Sequence, residues 1–387
     1  MKDSIDLMEM DWQHYTDTPG IRGELKEQVK DFVVKELASH ETGEGDHMVV
    51  QLRKQNMTTL EAIGKLSNML HISRDRIGYA VNKDKRAVSE QYISIQGVSE
   101  EDVNQIFTDE FDLEVIGEGN HIGLGNLDAN RFEIAIRDLG LPIEDVRNRT
   151  LEIIDQLDGK FPNYFGDQRF GSARPITHQV GRHILRGEFE EAVWTYIAKP
   201  YDSEYKSIRK TRENLWESRD PEDAAEKFPE SYRYEKTLLY HLNKNEEDYK
   251  GALKRLPEGL QELFIHAYQS WIFNRVLSEL LDDEWFDPEY EIPLVGFKTD
   301  LKDNRPENMI EDILDEEGVS QEDFRLQEFP ELRSEGSFRR AFADFRNFEI
   351  LDIDEDDLNM AQNKMRVKFD LPKGCYATVL LREIMKN

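Results

Sequence analysis

The sequence predicts an α+β protein in which a mainly helical segment interrupts a domain of mixed helices and strands. Three observations carry this reading. Runs with the two-residue alternation of strands recur up to about residue 160. Helical spacing dominates the middle, most clearly at 260, 263, 264, 267, 271, 277 and 281, all of them apolar or aromatic. The strand pattern then returns near Phe345. With no internal repeat and no low-complexity linker, that order means one domain inserted into another. The expected bounds are 1–165 with 345–387 for the outer domain and 166–344 for the insert.

Phe32 to Glu36 and Met48 to Lys54 read as strands bracketing a glycine-rich loop, Thr42-Gly43-Glu44-Gly45-Asp46. Thr58 and Glu61 form a capping box, in which hydroxyl and carboxylate satisfy orphan amides reciprocally. The helix it opens carries Leu60, Ile63, Leu66 and Leu70 on one predicted face. Tyr92 to Ile95 and Phe132 to Ile136 alternate as strands. His178 to Ala198, Tyr232 to Leu242 and Leu260 to Leu281 read as helices, the last with a strong apolar stripe. Phe348, Ile350 and Ile353 resume the strand period, as does Met365 to Phe369. Leu371-Pro372-Lys373-Gly374 is a turn, and Tyr376, Val379, Leu380 and Ile384 fit a terminal helix.

Composition narrows the function classes. The 387 residues include 20 Phe, 14 Tyr and 5 Trp, ample for a sizeable core, while 34% are charged and the mean hydropathy is −0.70. No apolar run approaches the roughly 20 residues that span a bilayer, and the N-terminal residues lack the apolar segment of a secretory signal. Cys375 is the single cysteine, which rules out an internal disulfide and a cysteine-built metal site. A cytoplasmic protein is expected. The net charge of −30 argues against a nucleic-acid partner globally, but binding follows the local field. Between Arg74 and Glu90 there are five Lys or Arg against three acids. Acid concentrates elsewhere, in Glu311–Glu317 and Asp352–Asp357, read as solvated faces.

The chemically richest stretch is Gly78-Tyr79-Ala80-Val81-Asn82-Lys83-Asp84-Lys85-Arg86-Ala87-Val88-Ser89-Glu90-Gln91. Attraction from Lys83, Lys85 and Arg86 favours an ionised Asp84, and a carboxylate with a cationic rim suits chemistry on a phosphodiester-linked substrate. The string resembles the catalytic motif of the TruD family of tRNA pseudouridine synthases, roughly G-x-K-D-K-x-A-x-T-x-Q, with Asn82 at a spacer position and Ser89 in place of Thr. Four further segments match in order. Lys30 to Glu36 resembles the family's E-D-F-x-V-x-E element. Asn130 to Arg137 resembles its G-N-x-F-x-I-x-[IL]-R strand, with Ala129 replacing the glycine. Pro162-Asn163-Tyr164-Phe165-Gly166-Asp167-Gln168-Arg169-Phe170-Gly171 reproduces a distinctive decapeptide, and Leu371 to Thr378 closes the set.

The resemblance implies a catalytic domain built on a mixed, largely antiparallel sheet, with a helical family-specific domain inserted. It implies isomerisation of a uridine at position 13, in the D arm of tRNA, with no metal and no cofactor; the sequence leaves the oligomeric state open, with a monomer expected. Asp84 is the implied catalytic carboxylate. The target base must leave its stack, which calls for an aromatic platform and a polar reader. Phe32, Phe132 and Tyr376 match positions around the base, Asn130 a substrate-contacting position and Lys26 a lysine able to pair with the aspartate. Lys83, Lys85 and Arg169 are expected at the RNA, with Arg174, Arg182 and Arg339 as further phosphate contacts. A catalytically silent RNA-binding protein of the same fold is the alternative, and an acidic scaffold for a basic protein a more distant one.

Other signals carry no chemistry. Gly117, Gly119 and Gly123 have G-x-G-x-x-x-G spacing and lead toward a strand, so no helix N-terminus meets a pyrophosphate. His178 and His183 are five apart, off the spacing of zinc-binding helices, and read as helix polar residues or RNA contacts.

Overall fold

The computed structural model describes residues 10–38, 42–171, 173–222, 224–283, 286–302 and 304–387. It divides into two compact units, one of residues 15–161 and 343–387, the other of residues 162–342 with the described N-terminal residues 10–14.

The first unit is organised by a nine-stranded sheet: β1 (Glu24–Leu25), β2 (Phe32–Leu37), β3 (Thr42–Gln55), β4 (Ile77–Tyr79), β5 (Val88–Gln96), β6 (Phe111–Gly119), β7 (Ala129–Leu139), β8 (Arg346–Glu355) and β9 (Asn363–Pro372). The order is β8-β9-β7-β2-β5-β3-β6, with β1 also on β7 and β4 also on β5. Pairing is antiparallel except for β2 with β5, where Val33 faces Val88 and Lys35 faces Glu90. That parallel pair brings the 78–87 segment, which leads into β5, beside the start of β2.

β3 shows how alternation builds the core. Met48, Val50 and Leu52 join Ala62, Ile63, Leu66, Ile77, Ile93, Ile95 and Phe111 in one cluster, while Val49 packs with Ala80, Ile122 and Leu127. The strand is longer than predicted, because Thr42 to Asp46 is extended rather than looped. The helix Thr59–Met69 has the predicted capping box, with Glu61 N–H donating to Thr58 Oγ1 at 3.1 Å and Thr58 N–H to Glu61 Oε2 at 2.8 Å. Its buried face is Ala62, Ile63 and Leu66; Leu60 is exposed, one position off the predicted stripe. The helices Ile143–Leu157 and Ala377–Met385 pack on each other and bury Val146, Ile153, Leu380 and Ile384. A buried ionic knot fixes β7: Arg137 donates to both Asp31 oxygens at 2.8 and 2.9 Å and to Asp356 at 2.6 Å.

The second unit is helical around Glu258–Leu280. The sequence predicts one apolar stripe there, yet Gln261, Gln269, Ser270 and Asn274 are buried with the apolar residues, because this helix is central. Asn274 and Gln269 are satisfied by backbone: Asn274 accepts from Phe165 N–H and donates to Phe165 O, both at 2.9 Å, and Gln269 donates to Val295 O at 2.6 Å. The helix Thr177–Leu185 approaches it so closely that a Cβ at Gly181 would fall 2.0 Å from the Phe264 carbonyl oxygen. The predicted helix from 178 to 198 is two, Thr177–Leu185 and Phe189–Ala198, broken at Gly187, whose φ is +71°. The acidic run 311–317 lies on the helix Arg305–Glu317, which buries Ile310, Ile313 and Leu314. It is not wholly solvated, since Glu317 accepts from Arg182 at 2.6 Å and Glu316 from Arg275 at 3.1 Å.

Candidate active site

After the β4 residues Gly78 and Tyr79, the 80–87 segment is irregular, and the whole stretch is held at many points. Gly78 packs against the Ile122 carbonyl, where a Cβ would fall at 2.3 Å. Ala80 O accepts from Gly125 N–H at 2.8 Å and Val81 O from Gln91 Nε2 at 3.3 Å. Thr59, fully buried, accepts the Lys83 N–H at 2.9 Å and donates its hydroxyl to Gln91 Oε1 at 2.8 Å. Lys54 Nζ donates to Met57 O at 2.6 Å and to Asp84 O at 3.4 Å. Ala87 O accepts from Asn56 N–H at 3.3 Å.

On that pinned loop the Asp84 side chain remains 40% exposed, and its carboxylate pairs with Lys26 Nζ at 2.8 Å. Lys26 is a left-handed residue, φ +59°, just before β2, and its ammonium lies 4.1 Å from the centroid of the Phe32 ring. The Lys26 cation is therefore shared between carboxylate and ring, a favourable arrangement for both of its contacts.

The neighbours of Asp84 in sequence point elsewhere. Lys83, expected at the RNA, is buried and turns inward, bonding Asn130 Oδ1 and lying 3.7 Å from the Glu36 carboxylate. Desolvation lowers the Lys83 pKa against the opposing pull of Glu36. Desolvation likewise raises the Glu36 pKa, opposed by the Lys83 charge and a hydrogen bond from the Tyr92 backbone. Lys83 thus braces β2 against β7, where Glu36 faces Asn130 across the ladder. Lys85 is exposed and pairs with Glu61 at 3.2 Å, and Arg86 donates to Glu27 O at 3.1 Å.

Phe32 and Phe132 are buried, edge to face at 6.0 Å, and Phe132 stacks on Phe369 at 5.6 Å, which stacks on Phe348 at 6.2 Å. They form an aromatic row rather than an open platform. Tyr376 is half-buried at the N-cap of the terminal helix, after the β9 end that pairs with Ala129 and Asn130. Asp84, Lys26, Phe32, Lys83, Asn130, Phe132 and Tyr376 all lie in the sheet unit.

Arg169 belongs to the helical unit, where its guanidinium lies 5.3 Å from the Phe165 ring centroid and that of Arg339 lies 4.2 Å from it. Arg339 also donates to Asn163 O at 3.0 Å. Two expected phosphate contacts are committed internally. Arg174 donates to the carbonyls of Thr195, Tyr196 and Lys199 at 2.9–3.2 Å, and Arg182 bonds Glu317. His178 is buried between the Phe170 and Trp271 rings, and burial pushes its pKa down to about 3, so it packs as a neutral ring rather than touching RNA. Among the described residues no cluster of three or more His, Cys, Asp or Glu could hold a metal ion, and no helix is long and apolar enough to cross a membrane.

Sequence reasoning missed Glu36, Lys54, Thr59 and Gln91 as supports of the loop. Gln91 and Glu36 stand inside quoted motifs, and Lys54 interrupts the apolar row Met48, Val50, Leu52, each a signal available beforehand. The arrangement offers one accessible carboxylate, a lysine in contact with it and a rigid scaffold behind, which suits nucleophilic or general-base chemistry.

Comparison with known proteins agrees along nearly the whole chain. The family model for tRNA pseudouridine synthase D (TruD) matches residues 9–291 and 286–384. A protein of Archaeoglobus fulgidus designated a probable tRNA pseudouridine synthase D is 37% identical, over 97% of this chain and 97% of its own. One of Methanococcoides burtonii, so designated, is 34% identical over 96% and 94%. The crystal structure of a Methanosarcina mazei protein designated tRNA pseudouridine synthase D superposes with a TM-score of 0.81 at 32% identity, covering 97% of this chain and 96% of that one.

Proposed function

The chain belongs to the tRNA pseudouridine synthase D family of isomerases, and we propose that it converts uridine 13, in the D arm of tRNA, to pseudouridine with Asp84 as its catalytic carboxylate. The observation that carries this reading is the exposed Asp84 carboxylate, paired with Lys26 at 2.8 Å on a loop pinned from behind.

The reaction breaks the C1′–N1 bond, turns the uracil and rejoins it through C5, the C5 proton leaving as N1 gains one. It is redox-neutral. A carboxylate drives the first step either by attack on C1′ or by removal of the C2′ proton. Lys26 fixes the carboxylate's orientation and favours its ionised form. The base, flipped from its stack, meets the half-buried Tyr376 ring, and the buried row of Phe32 and Phe132 backs the site rather than offering an open face. Asn130, oriented by Lys83, reads a polar edge of the uracil. Lys85 of the sheet unit contacts the RNA backbone, and Arg169 belongs to the helical unit, the inserted domain, which holds the tRNA. The enzyme works in the cytoplasm.

The test is to map pseudouridine in tRNA lacking the modification, before and after incubation with the purified protein. A single new pseudouridine at position 13 is expected. Binding without product would favour the silent RNA-binding alternative.

A further inference from the structure

Lys54 continues the buried row Met48, Val50, Leu52 on β3, where strand alternation calls for an apolar side chain, and only 1% of its surface is exposed. Taking an ammonium out of water is costly, and desolvation pushes its pKa down to about 8. The charged groups that act on it are Asp84 and Glu61, which favour its charged form, and Lys83, which opposes it. A core needing only volume would be served by Met or Leu. What the ammonium does instead is join two backbone carbonyls, Met57 O at 2.6 Å and Asp84 O at 3.4 Å. The same turn grips the loop twice more, through Thr59 Oγ1 on the Lys83 N–H at 2.9 Å and through Asn56 N–H on Ala87 O at 3.3 Å. Residues 83, 84 and 87 are thus tied to one turn, and Lys54 supplies the tie at the aspartate itself.

We propose that Lys54 is a positioning residue, whose buried ammonium anchors the Asp84 main chain to the turn at residues 55–59 and so sets where the carboxylate meets the substrate. The inference rests on the reading of Asp84 as the catalytic group. Lys54 does not touch substrate; it acts through the peptide that carries the carboxylate. Displacing a reacting group by about 1 Å can cost about a hundredfold in rate.

The experiment compares wild type with Lys54→Met and Lys54→Gln in the full chain, with Asp84→Asn in parallel. Single-turnover rates and KM for unmodified tRNA are measured, together with hydrogen exchange of peptides spanning residues 80–90 and 46–53. Lys54→Met should lower kcat by about ten- to a hundredfold with KM within about threefold, and should speed exchange in 80–90 while leaving 46–53 unchanged. Lys54→Gln, which keeps a neutral donor, should fall between the two, and if Lys54→Met fails to fold this variant decides by the same readouts. A kcat within twofold of wild type with unchanged exchange would overturn the inference, as would a Gln variant no better than Met. If Asp84→Asn still turns over, the catalytic reading fails separately. The anchoring then stands or falls on the exchange data alone.

Discussion

The buried lysine beneath Asp84 gives a stability signature that can be worked out in advance. In an unfolded chain Lys54 titrates near 10.5, and in the folded protein desolvation brings it to about 8. Below pH 8 both states hold the proton. Between pH 8 and 10.5 the unfolded chain keeps it while the folded protein has lost it. The unfolded state then binds more protons, and stability from this group rises with pH. A shift of that size corresponds to about 3 kcal/mol, accumulated at about 1.4 kcal/mol per pH unit. Lys54→Met removes the titration, and the lost hydrogen bonds roughly offset the relieved desolvation at pH 7, at about 1–2 kcal/mol each. The difference in unfolding free energy, wild type minus Lys54→Met, should therefore grow by about 3 kcal/mol between pH 7 and 10.5. Urea unfolding at four pH values measures it, and groups common to both proteins cancel in the difference. The described tryptophans, Trp12, Trp194, Trp216 and Trp271, fall in the helical unit, so far-UV circular dichroism or hydrogen exchange must follow the sheet unit. Parallel stability curves would refute the reasoning.

Other perturbations separate the parts of the account. Arg137→Met leaves Asp31 and Asp356 buried without their cation and should cost about 3–5 kcal/mol, read as a lowered urea midpoint. Asp356, held down to about 2 against desolvation by the Leu358 and Asp138 backbone N–H groups, the Asn359 amide and, least, Arg137, contributes stability present above about pH 4 and lost toward pH 2, and most of that acid dependence should survive Arg137→Met. Replacing residues 162–342 by a short linker is feasible because Phe345 N–H donates to Gly159 O at 2.9 Å. The trimmed protein should fold and bind tRNA poorly, and full activity would deny the helical unit a role. Log affinity for tRNA should fall linearly with log salt, with a slope reporting about three to six phosphates, and Lys85→Gln should flatten it by about one.

Features decided by neighbours in sequence were the legible ones. The Thr58–Glu61 capping box forms as expected because it needs four residues and no partner. Features decided by distant packing were not. Leu60 sits at helical spacing from Ile63, yet the cluster formed with β3 and β5 faces a slightly different arc, leaving it outside. The helix Glu258–Leu280 reads as amphipathic because its buried Gln and Asn side chains look like a wet face until their backbone partners are known. At the candidate site, the motif located Asp84 but not the lysine it pairs with. Lys83, adjacent in sequence, turns into the fold toward Glu36, with its amide held by the Thr59 hydroxyl. The cation that meets Asp84 comes from 58 residues away. Lys26 entered only through family resemblance, and Lys54 not at all, although it stands on the alternating row of Met48, Val50 and Leu52, because a lysine at the end of such a row reads as the strand's exit to solvent until its carbonyl partners are known.

The central claim is that the Asp84 carboxylate performs the isomerisation, and Asp84→Asn tests it most directly. The substitution keeps the size of the side chain and the backbone bond from Lys54 while removing the charge. Wild type and variant are incubated with excess enzyme over unmodified tRNA, pseudouridine is mapped over time, and tRNA affinity is measured alongside. Loss of a nucleophilic or general-base carboxylate should bring the rate below about one-thousandth of wild type, with affinity unchanged within a few fold. Product formed by Asp84→Asn above that level, with the RNA bound normally, would contradict the assignment.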